Sequence, residues 1–116
     1  MIANYEQALK LNPEIAVALN SLARHLAIMP VADRRDGKRA VQFAARALAL
    51  NDRESGFFDS TATAYAEAGR FANAVRAQKT GIEILRLVNR MPATVIEDFE
   101  SRLQLYKSNR PFYRSQ

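Results

Sequence analysis

The sequence has no cysteine and no tryptophan, and its only histidine is His25. The absence of cysteine excludes disulfide bonds, thiolate metal ligands and cysteine nucleophiles. A metal site needs clustered histidines or carboxylates, and the carboxylates of the segment "IEDFE" at 96–100 are better explained as a solvated helix face. Glycine-rich phosphate loops, nucleophile elbows and two-histidine zinc motifs are also missing. We therefore expect no enzyme activity, no metal and no cofactor.

Long apolar runs are missing as well. No run approaches the roughly 18 residues that a membrane span needs. The N-terminal segment "MIANYEQALK" does not have the pattern of a secretory signal. Hydrophobic residues nevertheless make up 48% of the 116 residues, which is enough for a modest core. The sequence thus favours a folded cytoplasmic protein with no membrane association.

The formal net charge of +5 is concentrated in the C-terminal part. Residues 1–69 contain eight Lys/Arg and eight Asp/Glu, whereas residues 70–116 contain nine and four. Such a surface attracts nucleic acid or an acidic partner. However, the basic residues recur at helical spacing with Glu83 between them, and the nearest aromatic side chains are Phe112 and Tyr113. We therefore favour a solvated helix face over a nucleic-acid site.

Helix start and stop signals divide the chain into six helices and predict no strand. Asn12-Pro13 is a helix start, Asp36 is an N-cap, and Gly69 stands at a helix C-terminus where a left-handed residue is needed. The predicted helices are a short one at 3–11, one at 13–28, one at 37–50, one that ends near 68, one at about 71–91 and one at about 92–107. The predicted fold class is all-α.

An internal repeat supports this division. The segment "ALKLN" at 8–12 returns as "ALALN" at 47–51, an offset of 39 residues. The pair Ala40-Val41 returns as Ala74-Val75, an offset of 34 residues. A 34-residue unit with a five-residue insertion between the paired helices explains both offsets.

This unit resembles the tetratricopeptide repeat, a 34-residue helix–turn–helix with an aromatic residue before a glycine. In residues 55–88 the matching positions are Phe58, Thr61, Ala62, Tyr65, Gly69, Phe71, Ala74 and Gly81. In residues 16–54 they are Leu19, Leu22, Ala23, Leu26, Ala40, Ala44 and Ala47. The chain departs from the family pattern at Thr61, at Gln78 and in the long turn "PVADRRDGKR". The resemblance implies antiparallel helix pairs stacked as a short right-handed solenoid.

The expected domain organisation follows from this resemblance. A helical domain at 1–108 contains a half repeat at 3–13, repeats at 16–54 and 55–88, and a capping helix at 92–108. Residues 109–116 are predicted to be a flexible tail. The capping helix is amphipathic, with an apolar stripe that comprises Val95, Ile96, Phe99, Leu103 and Tyr106.

The resemblance also implies a protein- or peptide-binding scaffold, with a groove lined by the first helix of each repeat. Carried over position by position, the groove residues are Val17, Asn20, Ser21, Arg24, Ile28, Asp59, Ser60, Thr63 and Glu67. We expect no clamp for a terminal carboxylate, because Asp59 and Glu67 would repel it. Two alternatives remain. One is binding of nucleic acid or an acidic partner through the basic C-terminal part, and the other is a regulatory fragment of a larger repeat-containing enzyme.

The N-terminal edge of the array is predicted to be open. Its half repeat places Ile2, Tyr5 and Leu9 on a helix without a matching first helix. Apolar side chains at such an edge need a cover. We expect either that the chain is the end piece of a longer array, or that a second copy of the chain, forming a homodimer, or another protein covers this edge.

Overall fold

Five helices make up the part of the chain that the structure describes. In this computed structural model residues 14–28, 36–88 and 90–112 are described, and these ranges contain no strand. The helices are α1 (Glu14–Ile28), α2 (Gly37–Leu50), α3 (Ser55–Glu67), α4 (Phe71–Leu87) and α5 (Ala93–Lys107). The all-α prediction is confirmed for these residues. The predicted helix at 3–11 and the helix start at Asn12-Pro13 lie outside them.

Two helix ends follow the sequence signals. The Asp36 side chain accepts a hydrogen bond from the Arg39 amide, and this caps α2. The Asp36 amide donates to the Leu26 carbonyl at 2.8 Å, which fixes the start of α2 against the last turns of α1. Gly69 follows α3 with φ of +81°, a conformation that glycine adopts without strain. Both predictions are confirmed.

Helix α4 ends at Leu87, four residues earlier than the sequence suggested. Val88 has an extended backbone, with φ −82° and ψ 123°. Leu87 is 85% exposed and Val88 is 47% exposed, so no packing stabilises a further turn. A β-branched residue with little packing has a weak preference for helix, which explains the early end.

Each helix packs on the next one along the chain, and α1 also packs on α3. Helix α3 is central, because its residues are buried over most of its circumference. One apolar cluster joins α1, α2 and α3 through Ala23, Ala27, Ile28, Ala40, Ala44 and Ala64. Another joins α3, α4 and α5 through Ala62, Ala66, Ala74 and Tyr106. The radius of gyration of 13.9 Å is close to the ~13 Å expected of a globular domain of this length.

Small residues allow the helix backbones to approach closely. Ala40 and Ala74, which recur at the 34-residue offset, are both fully buried. Gly37 was not predicted to matter in this way. A Cβ atom at Gly37 would lie 2.6 Å from the Ala68 amide nitrogen and 2.7 Å from the Glu67 carbonyl carbon. The start of α2 therefore contacts the end of α3 through backbone alone.

Helix α5 buries the stripe that its sequence indicated. Phe99, Leu103 and Tyr106 are buried, while Val95 and Ile96 are half-buried. Phe99 and Leu103 pack with residues of α4, and Tyr106 reaches the alanines of α3 and α4. This packing positions α5 beside the polar residues of α3.

Candidate functional site

The most unusual feature of the core is a carboxylate, that of Asp59 on α3. Asp59 is 4% exposed. Its Oδ2 accepts a hydrogen bond from Arg24 Nη1 on α1 at 3.1 Å. Its Oδ1 accepts from Arg102 Nε on α5 at 2.8 Å and from Gln78 Nε2 on α4 at 3.0 Å. One carboxylate thus connects four helices, and we call these four residues with Thr63 and Tyr106 the Asp59 cluster.

The two arginines of the Asp59 cluster differ in exposure. The Arg102 side chain is 13% exposed, whereas the Arg24 side chain is 34% exposed. Two guanidinium groups share one carboxylate, so this group of three carries a net charge of +1. The Arg24 guanidinium is held on one side by Asp59 and reaches solvent on the other. The positive charge that remains at the surface is therefore on α1.

Gln78 is fully buried and has a fixed orientation. Its Nε2 donates to Asp59 Oδ1 and to the Phe99 carbonyl at 2.9 Å, so both of its protons are used. The reverse orientation would place an oxygen against two acceptors. The Gln78 Oε1 atom is buried without a hydrogen-bond partner among the described residues. This amide therefore holds Asp59 and the middle of α5 in register.

Thr63 and Tyr106 extend the cluster toward the end of α5. Thr63 Oγ1 donates to the Asp59 carbonyl at 2.9 Å, which uses its only proton. Tyr106 must therefore be the donor in the 3.1 Å bond between its hydroxyl and Thr63 Oγ1. Burial raises the pKa of Tyr106 from 10.0 to about 12, and the nearby Asp59 charge acts in the same direction. The neutral phenol is the form that this site favours.

Arg102 also stacks on two aromatic rings. Its guanidinium carbon lies 5.1 Å from the Phe99 ring centre and 5.2 Å from the Phe112 ring centre, within the range of a cation–π contact. Phe112 is half-buried and packs on both apolar clusters, the one that joins α1, α2 and α3 and the one that joins α3, α4 and α5. The sequence placed Phe112 in a flexible tail at 109–116. The structure packs it against the core, while residues 113–116 lie outside the described part.

The nine residues predicted to line a groove separate into two groups. Val17 and Ser21 on α1 are exposed, and Asn20, Arg24 and Glu67 are partly exposed. The other four are buried, namely Ile28, Asp59, Ser60 and Thr63. These four cannot contact a ligand in this arrangement, because they form the contacts of α3 with α1, α4 and α5. What remains accessible is one face of α1 with Glu67 at the end of α3.

The predicted effect of Asp59 on a ligand also needs correction. The sequence treated it as an exposed negative charge that would repel a carboxylate. In the structure Asp59 is buried between Arg24 and Arg102, which offset its charge. No signal in the sequence pairs these three residues, since they stand 35 and 43 positions apart. The predicted assembly edge of Ile2, Tyr5 and Leu9 lies outside the described residues.

The basic face of α4 makes a different ion pair from the one its sequence suggested. Helical spacing suggested that Glu83 pairs with Lys79 and Arg86. In the structure Arg86 pairs with Glu100 of α5, with both side chains about half exposed. This exposed ion pair differs from the buried Asp59 cluster, because water screens the attraction between its charges.

The described residues contain no group of three or more His, Asp or Glu side chains that could hold a metal ion. In the same part of the chain, no helix combines the length and the apolar character that crossing a membrane requires. Neither a protein-family model, nor a curated protein, nor a solved structure matches the chain.

Proposed function

We propose that the chain is a non-catalytic helical-repeat scaffold that binds a peptide segment of another protein on the exposed face of α1. The observation that carries this proposal is the state of Arg24. Asp59 holds one nitrogen of its guanidinium, while a third of the side chain remains exposed. A cation fixed in this way loses little conformational entropy when it donates to a ligand.

The neighbours of Arg24 suit a peptide. Val17 is 53% exposed, and Ser21 is exposed between it and Arg24 on consecutive turns of α1. Asn20 lies on the same face and is partly exposed, with its Oδ1 atom buried. An apolar contact beside hydroxyl, amide and guanidinium groups is typical of a surface that holds an extended peptide.

The order of helix contacts supports the repeat architecture within this proposal. Helices α1 and α3 pack on each other, although α2 separates them in the chain. Helix α3 is also connected to α5, here by side-chain bonds, of Asp59 with Arg102 and of Thr63 with Tyr106. Alternate helices that share one face are the arrangement expected of tetratricopeptide-like units.

The departure at Gln78 also fits this interpretation. The family pattern usually has an aromatic residue at this position, which would fill space by its size. Here Gln78 instead donates to Asp59 and to the Phe99 carbonyl. One polar connection replaces an apolar contact at the same helix junction, so the departure does not oppose a repeat.

The test is selection of a displayed library of random peptides on the immobilised full chain. We expect wild-type protein to enrich a family of related peptides. Val17→Glu should abolish this enrichment, because it places a charge in the apolar part of the proposed contact. Arg24→Lys should weaken it, since an ammonium group cannot hold Asp59 and a ligand in the same planar geometry.

Leu87→Glu is the matched control, because Leu87 is an exposed apolar residue at the end of α4. It should leave the enriched peptides unchanged. Thermal unfolding followed by circular dichroism establishes that each variant is folded. The proposal fails if wild-type protein enriches no related peptides, or if Leu87→Glu removes them as effectively as Val17→Glu.

A further inference from the structure

The termini of all five helices lie at two opposite ends of the molecule. At one of these two ends, the turns that connect the helices contact each other. The Asp36 amide bonds to Leu26 at the end of α1, and Gly37 contacts Ala68 after α3. The start of α4 and Lys107 at the end of α5 line the same cavity. We call this the turn end, where α1, α3 and α5 finish and where α2 and α4 begin.

Charge is divided unequally between the two ends among the described residues. The turn end has six cations, all exposed: Lys38, Arg39, Arg70, Arg76, Lys107 and Arg110. It has two acids, Asp36 and Glu67, and Asp36 is engaged as the cap of α2. Outside the Asp59 cluster, the opposite end has four cations, Arg46, Arg53, Arg86 and Arg90. It has six acids, Glu14, Asp52, Glu54, Glu83, Glu97 and Asp98, while Lys79 and Glu100 lie midway along α4 and α5.

This division is not the one visible in the sequence. The sequence concentrates the positive excess in residues 70–116. In the structure Lys38 and Arg39 from the first half of the chain join the basic turn end, whereas Arg86 and Arg90 belong to the acidic end. Among the described residues, the turn end therefore has an excess of positive charge and the opposite end an excess of negative charge.

Two cavities open at the turn end, one on each side of the start of α4. The first has a volume of about 370 Å³ and is lined by Lys38, Val41, Gln42, Ala68 and Arg70. The second has a volume of about 470 Å³ and is lined by Phe71, Ala72, Val75, Arg76, Tyr106, Lys107 and Asn109. Each cavity thus combines an apolar wall with two cations.

The start of α4 adds to the positive potential between the cavities. Its N-cap residue is Arg70, and no side chain caps the helix. The first amide groups of a helix and its macrodipole both favour negative charge. Arg70 lines the first cavity, while Arg76 of the same helix lines the second. A ligand that spans α4 would contact both.

We propose that the turn end is a second docking surface, which binds an acidic peptide segment of a partner protein that carries apolar side chains between its carboxylates. The carboxylates meet the rim cations, and the apolar side chains enter the cavities against Val41 or Val75. Nucleic acid fits this surface less well. Its phosphates gain nothing from apolar walls. Phe71 and Tyr106, the aromatic residues that line the second cavity, pack in the cluster around Ala74 and are not free for base stacking.

The test uses a fluorescein-labelled synthetic peptide that alternates glutamate and leucine, with fluorescence anisotropy measured on the full chain. A peptide of the same length that alternates lysine and leucine controls for the sign of the charge. We expect the acidic peptide alone to bind. Arg70→Glu and Lys107→Glu should each weaken it about tenfold, since each reversal replaces an attraction by a repulsion.

Arg53→Glu is the matched control. Arg53 is exposed at the opposite end, and its replacement by glutamate changes the net charge by the same amount as Arg70→Glu. It should change the affinity by less than about twofold. Val17→Glu, on α1, should also leave this affinity unchanged. The experiment therefore tests the turn end independently of the peptide-binding face proposed for α1. Arg70→Gln removes charge without reversal and should give an intermediate loss in a protein that keeps its thermal midpoint.

Three results would overturn the proposal. The first is the absence of binding by the acidic peptide. The second is an equal loss with Arg53→Glu and Arg70→Glu, which would indicate diffuse attraction. The third is binding of a double-stranded DNA fragment at least as tight as that of the peptide, with the same dependence on Arg70 and a steep salt dependence. Such a result would assign the turn end to phosphate contacts.

Discussion

Helix α3 is buried through two kinds of contact. Ala62, Ala64 and Ala66 meet the alanines of α1, α2 and α4 in close apolar contact. Asp59 and Thr63 meet their partners on α1, α4 and α5 through directed hydrogen bonds, although helical spacing places them on the same face as Ala62 and Ala66. We call the alanine contacts the alanine side of this packing and the hydrogen bonds its polar side.

The difference lies in what each side specifies. Alanine contacts fix the distance between helices, because a larger side chain does not fit between the backbones. They specify little about the position of one helix along the axis of its neighbour, since one alanine methyl group can take the place of another. The Asp59 cluster requires one position of α1, α4 and α5 relative to α3, because each donor must reach one carboxylate. The alanine side sets spacing, and the polar side sets register.

Removal of Asp59 is the strongest test of this division. In Asp59→Ala the Arg102 guanidinium, which is 13% exposed, and the buried Gln78 amide lose their shared acceptor. We expect a loss of about 3–5 kcal/mol in the free energy of unfolding, as for other buried ion pairs with one partner removed. Urea unfolding followed by circular dichroism measures it.

The control is Glu100→Ala, which removes the partner of Arg86 in an exposed ion pair. Water screens that pair, so the loss should be below about 1 kcal/mol. If Asp59→Ala costs no more than Glu100→Ala, the polar side does not fix register in the manner described above.

The alanine side was accessible to sequence reasoning. Ala40 and Ala74 recur at the repeat offset, and a small residue that returns in register indicates a close helix contact. The cap at Asp36 and the left-handed Gly69 were accessible for a similar reason. All of these depend on a few neighbouring residues or on a regular spacing, and local signals of this kind are present in the sequence.

Ala74→Leu probes the alanine side and should have the next largest effect. Ala74 is fully buried in the cluster with Ala62 and Tyr106. A leucine there would overpack the site at a cost of about 1–3 kcal/mol. Ala72→Leu in the same helix is the control, because Ala72 is exposed, and it should change stability by less than about 0.5 kcal/mol. Equal melting temperatures for wild type and Ala74→Leu would exclude a close contact.

The polar side was not accessible in the same way. Arg24, Asp59 and Arg102 are ordinary surface residue types at helical positions, and their meeting depends on the rotation of three helices about their axes. The charge division between the two ends has the same origin. It appears only when the alternating directions of the helices place Lys38 beside Arg70. Pairing of distant residues requires the tertiary arrangement, which periodicity does not supply.

Tyr106→Phe tests the outermost bond of the polar side and should have the smallest effect at neutral pH. The variant removes the hydroxyl that donates to Thr63, while Thr63 keeps its bond to the Asp59 carbonyl. We expect a loss of about 1 kcal/mol at pH 7. Urea unfolding of both proteins at pH 7 and pH 11 measures the difference.

The pH dependence gives this prediction its sign. Burial raises the pKa of Tyr106 from 10.0 to about 12. Between these values the unfolded chain releases the phenol proton and the folded chain keeps it. The contribution of the Tyr106 hydroxyl to stability is therefore fully present below pH 10 and falls as the pH rises toward 12. The slope is about 1.4 kcal/mol per pH unit. Tyr106→Phe lacks this decline, so the advantage of wild type at pH 7 should disappear near pH 11.

Tyr65→Phe, which removes a phenol outside the Asp59 cluster, should leave the decline in place. If wild type keeps its full advantage over Tyr106→Phe at pH 11, the site does not favour the neutral phenol.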